Sequence, residues 1–391
     1  DAEGGAQELT FLTHWGPDQV KMLEAAGDAF TADNPDITIK VQAVPFGNLL
    51  STLRTQGASA DGPAIVGIYD AWLPELVRDG LAAQAPDDVA ADVEANWPAG
   101  VVTAASQQGA VYGIPNEIDL YQLNYNTKLF DAAGIAEPPA TWDDFIADCR
   151  KVKETTGKFG YAVSVDCSTI LGMIYSMGGE VVGEKTTRFD SPEAIRVFEV
   201  FETLSKEGLC YQIQPGTFDD EVALSNGEAA FMIRTSSMRA SLVTLMKDHM
   251  DDWGIARIPQ ADPAHPATVL FGSDVTIFTT TEAHQRAAWA FTNYFASPDV
   301  CVRWAVETGY LPIHRPAAQD PRMPAFWAEF PGNRAPFDCL EFARPEPNLN
   351  GWQEVREKVQ DNQTAVLTGR KTGKEAAVDL KAAADAILAR N

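Results

Sequence analysis

The chain has 391 residues, 45% hydrophobic and 22% charged, more than one hydrophobic core usually supports, which predicts two domains with ample core material for both. Lys and Arg number 30 against 55 Asp and Glu, and the net charge of −25 repels a phosphate backbone, so nucleic acid is not an expected partner and the acidic surface is read as a solubility feature. No run of about 18 apolar residues is present, so no membrane-spanning helix is expected, and the opening DAEGGAQELTF shows neither the basic nor the apolar region of a secretory signal, which is therefore expected to be absent or already removed.

Residues 8–13 (ELTFLT) predict a buried strand, followed by His14, Trp15 and Gly16. A helix is expected from Pro17 to about Asp33, because Val20, Leu23, Ala26 and Phe30 recur at helical spacing and Pro17 suits the first helical position. In residues 37–44, Ile37, Ile39, Val41 and Ala43 alternate with polar residues, the pattern of a strand exposed on one side. A helix near 47–57 and the apolar strand 64–69 complete a strand-helix-strand-helix-strand order, which implies an α/β lobe with a largely parallel sheet. Ligands of such sheets collect beyond the carboxyl ends of the strands, which singles out His14, Trp15, Phe46, Tyr69, Asp70 and Trp72. For Asp70 the structural alternative is a helix N-cap, and for Trp15 a core aromatic.

The stretch from Tyr112 to Ile135, YGIPNEIDLYQLNYNTKLFDAAGI, reads as strand, polar interruption at Glu117 and Asp119, second strand and short helix, the signature of a crossing between two bodies. Thr141 and Asp144 open a helix to about Thr156 with a capping-box-like pair. Strand 159–165 ends at Asp166, Ser168 and Thr169, which places these at a second lobe's crevice. The segment 191–208 has Ser as N-cap, Pro in first position and Gly past the end, a complete helix signature. A strand within 226–238 ends on Arg234, Ser236 and Ser237. In 253–281 a Pro-rich loop gives way to a strand interrupted at Gly272, Ser273 and Asp274, where glycine lets a backbone approach a ligand or flex. Helices near 283–295 and from Pro298 follow, then an irregular Pro- and aromatic-rich segment 316–347, and finally two helices broken at 368–373.

Catalytic and metal signatures do not emerge. The five histidines are scattered without H-E-x-x-H, and there is no G-x-S-x-G, Walker A or G-x-G-x-x-G motif, so no metal, no cofactor and no enzyme activity are expected. Glu117 and Asp119, two apart on a strand, face the same way, whereas the acid and base of a glycoside hydrolase flank a bond from opposite sides. The run Phe218-Asp219-Asp220-Glu221 lacks a calcium-loop pattern and reads as solvated surface. Cys149, Cys167, Cys210, Cys301 and Cys339 form no C-x-x-C, and buried thiols or two bridges with one cysteine left over are both open.

G-I-P, a carboxylate, and then L-x-Y-N-x-x-L-F-x-x-A-G-I within 112–135 resemble the first inter-lobe crossover of the sugar-binding, maltose-binding-like solute-binding proteins of bacterial ABC transporters. The stretch IVGIYDAWLPELVRDG resembles the family's third strand and the loop that presents an aspartate to sugar hydroxyls, and NGEAAFMIRTSSM its G-E-x-A-M strand, with Thr235 and Ser237 where the family often has Gly and an aromatic. GYLPIHRPA (309–317) resembles the third crossover and includes Tyr310, and N-G-W-Q-E-V-R resembles the W-x-x-V-R in which the tryptophan, here Trp352, stacks on a sugar. The spacing of Trp352, Val355 and Val359 makes core packing the competing reading.

The resemblance implies a two-lobed α/β periplasmic-binding-protein fold (type II), each lobe an open, mostly parallel sheet flanked by helices, with the ligand cleft between the lobes. It places residues 1–112 plus 273–310 in one lobe and 116–268 plus 313–391 in the other, with hinge crossovers near 111–117, 268–274 and 309–314. The implied function is capture of a carbohydrate by hinge closure and delivery to a membrane permease, by a monomer that is periplasmic or lipid-anchored outside the cell membrane. An exported chain implies Cys167–Cys210 and Cys301–Cys339 as bridges. The ligand set is Trp15, Phe46, Tyr69, Asp70, Trp72, Glu117, Asp119, Asp166, Ser168, Arg234, Ser236, Ser237, Gly272, Ser273, Asp274, Tyr310 and Trp352. Alternatives are a polyol phosphate or glycerophosphodiester met by Arg234, and a secreted carbohydrate-active enzyme.

Overall fold

The computed structural model describes residues 5–57, 59, 62–184, 186–212, 217–308, 310–329, 332 and 334–390. The strands among these are β1 (Gln7–Thr13), β2 (Ile37–Ala43), β3 (Ile65–Tyr69), β4 (Ser106–Gln107), β5 (Ala110–Val111), β6 (Gly113–Asn126), β7 (Phe159–Val163), β8 (Cys210–Gln212), β9 (Ala229–Thr235), β10 (Trp253–Ala256), β11 (Thr268–Ile277) and β12 (Ala343–Arg344). The chain divides into two compact units. The first comprises Asp1–Ile118, Gly272–Phe326 and Asn348–Asn350, and the second Asp119–Phe271, Trp327–Pro347 and Gly351–Asn391.

In the first unit β1 pairs in parallel with β2 and with β3, and Ser273–Ile277 of β11 runs antiparallel to β3. The continuous apolar run IVGIY of β3 is buried along its whole length, as a strand covered on both faces requires. β2 alternates half-buried and exposed residues from Ile37 to Val41, as its sequence pattern predicts, but Gln42 is half-buried and Ala43 exposed. The first unit carries an aromatic core in which Phe11, Phe295 and Trp304 surround Trp15 and Phe291 packs on Phe11 and Phe295. Full burial of rings of this size contributes roughly 2–3 kcal/mol each.

In the second unit β6 is antiparallel to β9 and β10, β7 is parallel to β8 and β9, and β12 pairs with the start of β11. The helices Cys167–Ser176 and Pro192–Lys206 pack with the C-terminal pair Trp352–Leu367 and Gly373–Arg390. A Cβ at Gly373 would lie 2.6 Å from the Glu199 nitrogen, so glycine sets how closely the last helix approaches its neighbour.

Four expectations are corrected. β6 is one unbroken strand of 14 residues, because the polar side chains read as an interruption are buried and bonded by partners far away in the chain. β11 likewise runs uninterrupted through Gly272, Ser273 and Asp274. The segment 316–347 is not irregular throughout: Arg315–Ala318, Met323–Glu329 and Arg334–Asp338 are short helices, and Pro316 and Pro324 sit in first turns, where no N–H partner is lost. All five cysteines are free thiols; Cys301 belongs to the first unit and Cys339 to the second, while Cys167 lies beside Glu346 and Arg356 and Cys149 has Cys210 nearby.

Candidate functional site

In the first unit, the carboxyl end of β3 and the facing part of β11 bring carboxyl groups together. The antiparallel register pairs Ser273 with Tyr69 and Asp274 with Ile68, so the residue just after β3, Asp70, lies beside Gly272. A Cβ at Gly272 would sit 2.8 Å from Asp70 Oδ2 and 3.3 Å from the Glu117 carbonyl oxygen; glycine is what lets the Asp70 carboxyl lie over the strand. Gly113 plays the same part for Asp274, since a Cβ there would meet Asp274 Cβ and Thr276 Oγ1, both at 2.9 Å. Asp274 is buried, and burial first, then the charge of Asp70, holds its carboxyl well above the usual carboxylate range. Two acids this close do not both ionise near neutrality, so the pair retains a proton and presents both a donor and acceptors.

Glu117 is buried and accepts a hydrogen bond from Gln19 Nε2 at 3.2 Å; Gln19 in turn accepts from the Gly16 N–H at 3.0 Å, tying the start of helix Pro17–Asp33 to the carboxylate. Burial lowers His14 to about 4, leaving a neutral imidazole at physiological pH. Trp15 does not open onto this group. Trp304 at 4.8 Å, Phe11 at 5.4 Å and Phe295 at 6.1 Å enclose its ring, which corrects the stacking expectation in favour of the core. Tyr69 and Trp72 are buried edge to face at 5.9 Å, Tyr310 is half-buried, and Phe46 is described only in its backbone.

In the second unit Asp119 is buried and accepts from Ser236 Oγ at 3.1 Å, while the Leu120 N–H donates to the same hydroxyl at 3.3 Å. Burial pushes the Asp119 carboxyl up to about 7, against the opposing hydrogen bonds of Ser237 and Ser236. The Tyr121 hydroxyl donates to Asp166 Oδ2 at 2.6 Å, and Asp166 caps helix Cys167–Ser176 by accepting from the N–H groups of Ser168 and Thr169. β7 and β9 are parallel, so Asp166 after one and Arg234 near the end of the other share a sheet end. Arg234 donates to Asp220 through Nε at 2.6 Å and Nη2 at 3.1 Å, and to the Thr217 carbonyl at 3.2 Å. Burial works against its charge, but the Asp220 carboxylate more than offsets this and the guanidinium pKa is raised. The guanidinium also lies over the Phe218 ring, 5.5 Å from its centre.

Two expectations change here. Trp352 is fully enclosed, 6.5 Å from Phe189 and nearly parallel to it, with its indole N–H on Glu346 Oε2 at 3.0 Å; Glu346 also receives Ser168 and Arg356. It is a core residue rather than an open platform, because the Trp352, Val355, Val359 stripe turns inward. The run Phe218-Asp219-Asp220-Glu221 is solvated surface only in its first half: Phe218 and Asp219 are exposed, whereas Asp220 and Glu221 are buried, one against Arg234 and the other under the Ser241 hydroxyl. Sequence reasoning missed Tyr121, Asp220 and Glu346, and the one signal for Tyr121 was its place beside Asp119 on β6.

Among the described residues, no group of three or more His, Cys, Asp or Glu side chains has a metal-holding arrangement, and no helix is long and apolar enough to cross a membrane. A cavity of about 510 Å³ in the second unit, lined by Pro138, Ile255, Arg257 and Cys339 among others, includes none of the expected ligand residues.

The two α/β units have the fold of the two-domain periplasmic sugar-binding proteins. Solved structures share the fold: the sugar-binding protein MalE of Xanthomonas citri superimposes with a TM-score of 0.87 over 98% of both chains at 22% identity. The chain belongs to the bacterial extracellular solute-binding protein family, whose model matches residues 25–333. A putative binding protein of Brucella abortus is 24% identical over 94% of this chain and 89% of its own. The sn-glycerol-3-phosphate-binding periplasmic protein UgpB of Shigella dysenteriae is also 24% identical, over 95% of this chain and 91% of its own.

Proposed function

We propose that this protein is the extracytoplasmic solute-binding component of an ABC importer and that its solute is a carbohydrate, held by Asp70, Glu117 and Asp274 from the first unit and by Asp119, Asp166, Ser168, Ser236 and Ser237 from the second. Capture by closure about segments near 111–117, 268–274 and 309–314 is part of this proposal and is supported by a chain that passes repeatedly between two units. The observation that carries the carbohydrate reading is the charge state of the strand ends. Carboxyl groups are concentrated there, and two of them, Asp119 and Asp274, are held above the usual carboxylate range, which suits vicinal hydroxyls that both donate and accept.

The name of the Shigella dysenteriae relative favours a polyol phosphate as the second reading. A phosphate dianion asks for an uncommitted guanidinium, and Arg234 is engaged bidentately by Asp220. The test is a thermal-shift screen of mono- to tetrasaccharides beside sn-glycerol 3-phosphate and glycerophosphocholine, followed by calorimetry. A sugar that raises the melting temperature in proportion to its concentration supports the reading. Stabilisation by the phosphates alone replaces it.

A further inference from the structure

We propose that Phe218 is the aromatic platform on which a sugar ring stacks in the second unit, an inference that rests on the carbohydrate reading above. The Phe218 ring is 59% exposed, the most open large apolar side chain among the described residues. A single exposed phenylalanine is ordinary on a protein surface and by itself asks for no explanation. Three further features set this one apart.

The first is orientation. The Arg234 guanidinium lies over one face of the ring at 5.5 Å, and both of the groups that hold Arg234, the Thr217 carbonyl and the Asp220 carboxylate, come from residues flanking Phe218 in the chain. The ring therefore packs against a cation that its own neighbours anchor, in a residue that is more than half exposed. The second is place. Arg234 lies next to the last residue of β9, at the sheet end shared with Asp166, whose charge acts on it. This is the end at which an open α/β sheet receives its ligand. The third is complementarity. The neighbouring groups Asp166 and Ser168 are polar, the Tyr121 ring is buried, and Trp352 is enclosed in the core. Pyranose C–H surfaces need a flat apolar partner, and Phe218 is the one open aromatic ring beside Arg234 among the described residues.

Val222, one helical turn further on, is 43% exposed, so a protein-contact strip is the competing occupant of this face. Calorimetry on the full chain separates the two, with glucose, maltose, maltotriose, trehalose and raffinose as the probes. For the sugar that binds, Phe218→Ala is expected to raise Kd by about tenfold while leaving the melting temperature of the free protein unchanged, as loss of one stacking contact requires. Phe218→Trp should restore affinity, because it keeps a flat ring, whereas Phe218→Leu should not. Unchanged Kd in Phe218→Ala overturns the platform while leaving the carbohydrate reading in place. An equal loss in Val222→Ala also overturns it, by assigning the effect to the helix as a whole. If none of the sugars binds the wild type, the carbohydrate reading fails and the platform with it.

Discussion

Replacing Asp119 by Asn measures how much stability the second unit gives up to keep a carboxyl group buried at its strand end. In the folded chain burial pushes this group up to about 7, against about 3.9 in an unfolded chain. A folded pKa above the unfolded one means that the folded state holds the extra proton between those two values. Stability is therefore highest below about pH 4 and falls as pH rises, until it levels off above about 7. A gap of about 3 units at 1.36 kcal/mol each makes the total loss on the order of 4 kcal/mol. Asn has nearly the same shape, keeps an oxygen to accept from the Ser236 hydroxyl at 3.1 Å in the native arrangement, and carries no titrating proton.

Urea unfolding of ligand-free wild type and Asp119→Asn from pH 4 to pH 8 reads this directly. The two units can unfold in separate steps, so the transition of the second unit is the one to follow. Other raised acids, Glu221 and Asp274, act alike in both proteins and cancel in the difference. The expected result is near-equal stability at pH 4 and a variant that becomes more stable than wild type by several kcal/mol at pH 8. Parallel stability curves across this range would mean that Asp119 is ionised throughout and that the reasoning from burial is wrong.

Three other perturbations have definite expected outcomes. Trp352→Ala empties a fully buried indole site and orphans a Glu346 hydrogen bond, so it should lower stability by about 3–5 kcal/mol in denaturant titration; a variant of wild-type stability would return Trp352 to the role of open platform. Arg234→Met leaves the wholly buried Asp220 carboxylate without its cation, at a cost of about 3–5 kcal/mol, and the further change Asp220→Asn should recover a large part of that loss in the same assay. Gly160→Ala would set a Cβ 2.3 Å from Cys149 Cβ and 2.6 Å from its Cα, and since that neighbour is backbone-bound the melting temperature should drop; an unchanged value would show that β7 and the helix Trp142–Thr156 can separate freely.

The fold was legible wherever one short-range rule decided the outcome. Helical spacing of Val20, Leu23, Ala26 and Phe30 gave the first helix, Ser191 and Pro192 marked the start of another, and the apolar run of β3 gave a strand covered on both faces. It was illegible where a polar residue's meaning depends on a partner far away in the chain. Glu117 and Asp119 looked like a break in a strand because nothing nearby shows that Gln19, 98 residues before one, and Ser236, 117 residues after the other, would satisfy them. The prolines of 316–347 misled for the opposite reason: their local effect is strong, but at the first turn of a helix it is harmless.

The candidate site follows the same logic one level up. Its location could be read from strand ends, since β1, β3 and β7 stop where the chain supplies His14, Asp70 and Asp166. The roles could not, because side-chain type does not say which way a residue turns. Trp15 and Trp352, the two aromatics that look most like sugar platforms by position, are drawn inward by apolar neighbours at helical or strand spacing. Phe218 is drawn outward by the opposite circumstance: the acids around it, Asp220 and Glu221, are the residues that go in, because Arg234 and Ser241 are there to receive them. Once an arginine on a strand captures Asp220, the short helix Asp219–Ser225 is oriented by its acidic residue, and the phenylalanine before it stays more than half exposed. Hydrophobicity therefore misassigns both kinds of residue here, and the ion pair is the reason.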